Sequence, residues 1–267
     1  MSDVYTFERG HLPLLISVPH AGTQVPQAIF RRFTSAAQAL PDTDWHVDKL
    51  YAFAREFGAS MIVANYSRYI VDLNRSRDSR PLYTSDPTSP VCPTHTFGGE
   101  PIYGTGEEPA ADEITERIVE YWEPYHSRLA AELERLRAEH GFALLWDAHS
   151  VGSEVPGLFA GVLPEFNFGT RDDRSCPRAL AELLLERVTR EGKYGAVLNG
   201  RFKGGYITHS YGHPARRCYA IQLELARRVY MDERPSTPVL DPSKLESAAR
   251  TIRGLLECAL SRLSVDG

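Results

Sequence analysis

Two histidines, a guanidinium and a carboxylate stand at the ends of short apolar runs in this sequence. Residues 12–18 run into Pro-His-Ala-Gly, which puts His20 just beyond the run. Residues 69–73 lead to Asn74 and Arg75, residues 142–146 lead to Asp147, His149 and Ser150, and Glu224 lies near the end of residues 219–225. In open α/β sheets the site lies at the carboxyl ends of the strands. Met singly, each of these residues is more often a satisfied core residue. Four strand ends that each carry a polar group costly to bury point to one shared site. Two imidazoles and a carboxylate suit a catalytic divalent metal. Zn²⁺, the first expectation, takes N and O ligands and keeps one position open for water. It lowers the pKa of that water to roughly 7, and a nearby carboxylate that is not a ligand can serve as general base. Co²⁺, Mn²⁺ and Fe²⁺ suit the same donors about equally well. The sequence has no HExxH, no CxxC and no GxSxG, which excludes a thermolysin-like helix site, a zinc finger and a nucleophile elbow.

A second block, NGRFKGGYITHSYG at residues 199–212, places Arg201 and Lys203 around Phe202, then a Gly pair, then Thr208 and His209. Two cations and a hydroxyl beside Gly-rich backbone suit a small anionic substrate, with Arg able to grip a carboxylate bidentately and Lys acting as a point charge. A solvated surface hairpin is the competing reading.

These residues need a frame. The apolar run 12–18, the β-rich runs 60–66 and 69–73, the apolar run 142–146 and residues 219–225 read as strands. Residues 44–57, 110–139, 177–189 and 245–263 read as helices, the second with Pro124 as a possible kink. Residues 74–106, rich in Pro, Ser, Thr and Gly, read as a long irregular stretch of the kind that often carries function. Strands alternating with helices over residues 1–267 predict a single α/β domain whose mixed, mostly parallel sheet is flanked by helices.

Composition bounds the partners. The 267 residues carry 30 Lys+Arg against 35 Asp+Glu, a formal net charge of −5, with 42% hydrophobic and 24% charged residues. That mix excludes bulk disorder, and a mildly acidic chain argues against a nucleic-acid partner. The apolar runs are too short to span a bilayer. The polar start MSDVYTFERG shows no targeting signal, and four scattered cysteines without CxxC spacing suit a reduced cytoplasmic protein.

The strings LLISVPHAG, LPDTDWH, YIVDLNR, LLWDAHS, LNGRFKGGYIT and IQLELA, in that order between about residues 7 and 235, resemble the N-formylglutamate amidohydrolase family. The resemblance implies hydrolysis of N-formyl-L-glutamate to L-glutamate and formate in histidine degradation, and a zinc carboxypeptidase/aspartoacylase-like fold. It implies His20 and His149 as metal ligands, Glu224 as general base and Arg75 as the guanidinium that binds carboxylate or polarises the carbonyl. For the acidic ligand, Thr23 stands where carboxypeptidases place Glu. Asp44 is the choice here, with Asp42, His46 and Asp48 as rivals. Asp147 is expected to orient an imidazole. Arg201, Lys203 and Thr208 are expected on the substrate. The family pattern predicts Arg where this chain has His209, which bears on the preferred acyl amino acid. The sequence leaves open two alternatives, an amidohydrolase for another N-acyl amino acid and a metal- or amino-acid-binding protein without catalysis. The oligomeric state is also left open.

Overall fold

Strands covered by helices on both faces are rich in apolar residues, and four parallel strands of this kind build the centre of the sheet. The computed structural model describes residues 3–81, 90–233 and 239–265. Its main sheet has the order β1-β3-β2-β4-β7-β5-β6. The strands are β1 Tyr5–Glu8, β2 Leu14–Val18, β3 Ser60–Ala64, β4 Ala143–Val151, β5 Phe166–Gly169, β6 Ala196–Leu198 and β7 Cys218–Ala226. β3, β2, β4 and β7 run parallel; β1 pairs antiparallel with β3, and β5 antiparallel with β7. β8 Met231–Asp232 and β9 Val239–Leu240 form a separate two-stranded ribbon.

Alternation along β4 decides what each face does. Leu144, Trp146 and Ala148 join Leu180 and Leu184 of α7 (Arg178–Arg190) and Ile252 and Leu255 of α9 (Pro242–Val265) in one core. Ala143 and Leu145 face the other way, onto Leu129, Leu133 and Leu136 of α6 (Glu123–His140). The same face continues through Asp147 and His149, because successive side chains point to opposite faces with period two. The β4–β7 register sets Asp147 beside Gln222 and His149 beside Glu224. A patch of four polar side chains thus ends an otherwise apolar face.

Several expectations change. β4 runs to Val151, so Asp147, His149 and Ser150 lie within the strand rather than after it. Residues 69–73 form no strand. They turn repeatedly, with Ile70 N–H on Ser67 O and Arg75 N–H on Asp72 O. The run 60–66 is strand only as far as Ala64. Residues 44–57 give no continuous helix but two short ones, α3 Val47–Leu50 and α4 Ala54–Phe57. Asp44 lies in a loop instead, its amide bonded to His20 O and its carboxylate accepting from Ser150 N–H of β4, and the left-handed φ of 64° at His46 breaks helical geometry before α3 begins. Other short helices are α1 Gln27–Phe30 and α2 Ser35–Gln38. The long helix is present as α5 Ala111–Arg117 and α6, joined by a π turn at Ile118–Trp122. Pro124 has no N–H and its ring would collide with the carbonyl four residues back, so the wider turn just upstream absorbs it. Residues 206–211 form helix α8 Tyr206–Tyr211, not a surface hairpin.

His126 on α6 lies stacked on Trp122 at 3.8 Å between ring centroids, with Nε2 donating to Leu73 O at 2.9 Å and Nδ1 accepting from Tyr211 Oη at 2.9 Å. Burial pushes its pKa down from 6.5 to about 3, against a smaller upward pull from Leu73 O. The folded protein therefore refuses a proton that the unfolded chain accepts. This contribution to stability is complete above pH 6.5 and lost as pH falls toward 3. At pH 5 the loss is about 2 kcal/mol. Urea unfolding at pH 7.5 and 5.0 should show that loss in the wild type and not in His126→Phe; an identical pH dependence in both would assign the effect elsewhere.

Candidate metal and substrate site

His20 follows β2, Asp44 lies in the loop before α3, and His149 lies in β4. The structure brings all three together: each offers one ligand atom, and these atoms lie within 4.8 Å of one another. The imidazole centroids are 4.9 Å apart. Asp44 Oδ2 stands 3.1 Å from His149 Nδ1 and 3.7 Å from His20 Nδ1. Behind each ring is a carboxylate. His20 Nε2 donates to Asp72 Oδ1 at 2.8 Å, and His149 Nε2 stands 3.0 Å from Asp147 Oδ2 and 3.1 Å from the Asn74 side-chain amide. Both partners fix the tautomer that leaves Nδ1 with its lone pair facing inward.

The donor set fits a divalent cation. His20 Nδ1 is buried with no hydrogen-bond partner, an arrangement that costs free energy unless something occupies the other side. Asp42, His46 and Asp48 are not in the cluster. Asp42 instead accepts from Tyr69 Oη at 2.7 Å and Phe97 N at 2.9 Å.

Electrostatics agree with that arrangement. Burial would raise the Asp44 carboxyl, but the His149 and His20 imidazoles more than reverse this and hold it well below the carboxylate range. Burial likewise opposes charge on Asp72, and Arg68 and His20 overcome it. Arg68, buried across this cluster, donates from Nη2 to Asp72 Oδ2 at 2.6 Å and lies 3.9 Å from Asp44 Oδ1. Asp72 and Arg68 are site residues that sequence reasoning missed. An aspartate inside the apolar run Ile70, Val71, Leu73 was the available signal, since such a charge must be compensated.

Glu224, only 7% exposed, lies beside His149 on the neighbouring strand. Burial pushes its carboxyl up to about 8; His149 pulls it back and Asp44 adds to the rise. Gln222 Nε2 donates to Glu224 Oε2 at 3.2 Å. The cluster and Glu224 open into one cavity of about 640 Å³, whose wall also carries Arg75, Arg201 and Lys203. Arg75 and Arg201 form no ion pair with a carboxylate among the described residues; Lys203 Nζ is held 3.1 Å from Asp172. Arg171, Asp172 and Asp173 all have left-handed φ angles, 54°, 51° and 66°. That strained turn also bonds Arg171 N–H to Lys203 O, so it fixes the loop bearing Arg201 and Lys203. Thr208 departs from expectation: fully buried beneath Gly204, it does not line the cavity. His209 is not in the wall either; burial, then Arg171 and His213, lower its pKa.

The N-formylglutamate amidohydrolase family model matches residues 12–231. The chain belongs to the N-formylglutamate amidohydrolase family. It is 50% identical over 262 residues to an N-formylglutamate deformylase of Pseudomonas aeruginosa, covering 98% of this chain and 97% of that one. It is 48% identical over 233 residues to an N-formylglutamate deformylase of Pseudomonas putida, covering 87% of each. Among solved structures, it resembles the N-formylglutamate amidohydrolase from Ralstonia eutropha JMP134, with a TM-score of 0.78 and 26% identity over 97% of this chain and 96% of that one. A gene product of Agrobacterium tumefaciens shares the fold, with a TM-score of 0.74 and 17% identity over 98% of this chain and 96% of that one. The single α/β domain expected from the sequence is therefore that of N-formylglutamate amidohydrolases, of the zinc carboxypeptidase-like kind. No helix among the described residues is long and apolar enough to cross a membrane.

Proposed function

We propose that this chain is a metal-dependent N-formylglutamate deformylase, releasing formate and L-glutamate in histidine degradation, and that it works in the cytoplasm. The observation that carries the reading is the meeting of His20, Asp44 and His149 with Glu224 in one cavity that also presents arginines. The relatives' names give the substrate. His20, Asp44 and His149 would hold the ion, Zn²⁺ first and Co²⁺, Mn²⁺ or Fe²⁺ as alternatives. When bound it would supply a water of lowered pKa and polarise the formyl carbonyl.

The protein's own residues do the rest. Glu224 takes the proton from the attacking water and delivers it to the glutamate nitrogen as the C–N bond breaks. Arg75, adjoining Asn74 beside His149, faces the charge that develops on the formyl oxygen. Arg201 and Lys203 bind the substrate carboxylates, Lys203 held in place by Asp172. Asp72 and Asp147 orient the two imidazoles. The reduced cytoplasm suits four free thiols.

The test is formate release from N-formyl-L-glutamate, beside N-acetyl and N-succinyl glutamate, before chelation, after it and after adding back metal. Formate should be released from the N-formyl substrate, stop on chelation and return with Zn²⁺ or Co²⁺. Release that survives chelation would sink the metal; preference for another acyl group would sink the deformylase.

A further inference from the structure

The residues at positions 72–75 belong to no helix or strand, yet three of them enter the site: Asp72 behind His20, Asn74 beside His149, and Arg75 in the cavity wall. Irregular backbone must find its hydrogen bonds elsewhere. Here the carbonyls are taken one by one. Leu73 O accepts from His126 Nε2 at 2.9 Å, Asn74 O from Tyr206 N at 3.3 Å and Arg75 Nη1 at 3.1 Å, and Arg75 O from Trp122 Nε1 at 3.0 Å. The Asn74 side chain is seated as well: Oδ1 accepts from Ile207 N at 2.8 Å, and a Cβ on Gly205 would come within 2.3 Å of its amide. Trp122 closes the π turn, His126 stacks beneath it, and neither lines the cavity.

We propose that Trp122 and His126 are positioning residues that act through separate carbonyls, Trp122 setting Arg75 toward the substrate and His126 setting Asp72 behind His20. A turn without ladder partners can rotate about its peptide planes, and each donor fixes a different plane. Trp122 Nε1–H stops the plane after Arg75. His126 Nε2–H stops the plane after Leu73, next to the carboxylate that orients His20. The π turn, a device frequent near functional sites, lets one helix deliver both donors. This rests on the deformylase reading for Arg75, and on the metal site alone for Asp72.

Trp122→Phe removes one donor and keeps an aromatic ring over His126. The kcat for N-formyl-L-glutamate should fall about tenfold with KM within about threefold and Zn²⁺ affinity, read by chelator competition, unchanged. His126→Phe removes the other donor and should weaken Zn²⁺ binding about tenfold by the same competition. Melting temperatures identify any variant that fails to fold, and Trp122→Phe then decides alone. Unchanged kcat in folded Trp122→Phe, or kcat and Zn²⁺ affinity moving together in both variants, would reduce the pair to packing and overturn the proposal. A wild type that binds Zn²⁺ without releasing formate would instead overturn the deformylase reading, while the His126→Phe competition would still judge the positioning of Asp72.

Discussion

Glu224→Gln is expected to lower kcat for formate release by about a thousandfold while Zn²⁺ affinity stays within a few-fold of wild type. General acid–base groups contribute roughly 10²–10⁴-fold, and Glu224 is the carboxylate next to His149 that lies outside the His20–Asp44–His149 cluster. The amide is nearly isosteric and can keep its contact with Gln222, so packing on β7 is conserved. It cannot take a proton from water. Full turnover in this variant would remove Glu224 from the base role; lost Zn²⁺ affinity would make it a ligand instead.

Asp44→Asn should weaken Zn²⁺ binding by at least about a hundredfold and abolish turnover at limiting metal. The substitution keeps an oxygen for Ser150 N–H, which the carboxylate accepts at 3.2 Å, so the loop stays anchored. It removes the one anionic donor of the three, and loss of supporting partners alone costs metal affinity 10–100-fold in comparable sites. Asp42→Asn is the companion measurement. Its carboxylate is engaged by Tyr69 and Phe97 outside the cluster, so it should leave Zn²⁺ affinity unchanged. The opposite ordering of the two variants would move the acidic ligand to Asp42.

His20, His149 and Glu224 were legible because polar residues at the ends of apolar runs are conspicuous: nothing in the core wants them. The helices over residues 177–189 and 245–263 were legible from period alone. Asp44 was harder, since four residues of DTDWHVD offer ligand atoms and only the fold shows whose carboxylate reaches β4. Residues 69–73 misled because β-branched and aromatic residues describe a buried surface, not a backbone path. Ile70 O and Leu73 O are satisfied by Arg117 and His126 from some fifty positions away, a long-range fact with no local signature. The strands β1, β5 and β6, of four, four and three residues, are too short to show a period. The polar start of α8 hid a helix whose Gly205 serves the seating of Asn74. Arg68 gave no warning, because one arginine among 30 basic residues is invisible until three aspartates surround it.

The pairing of β4 with β7 has a consequence for how the protein can fail. A slip of β4 by one residue against β7 would turn Trp146 and Ala148 toward the site and drive Asp147 and His149 into the apolar core against α7 and α9. Such a molecule would lose cohesion and chemistry in the same stroke. A well-folded but silent isomer by this route has no place on the landscape.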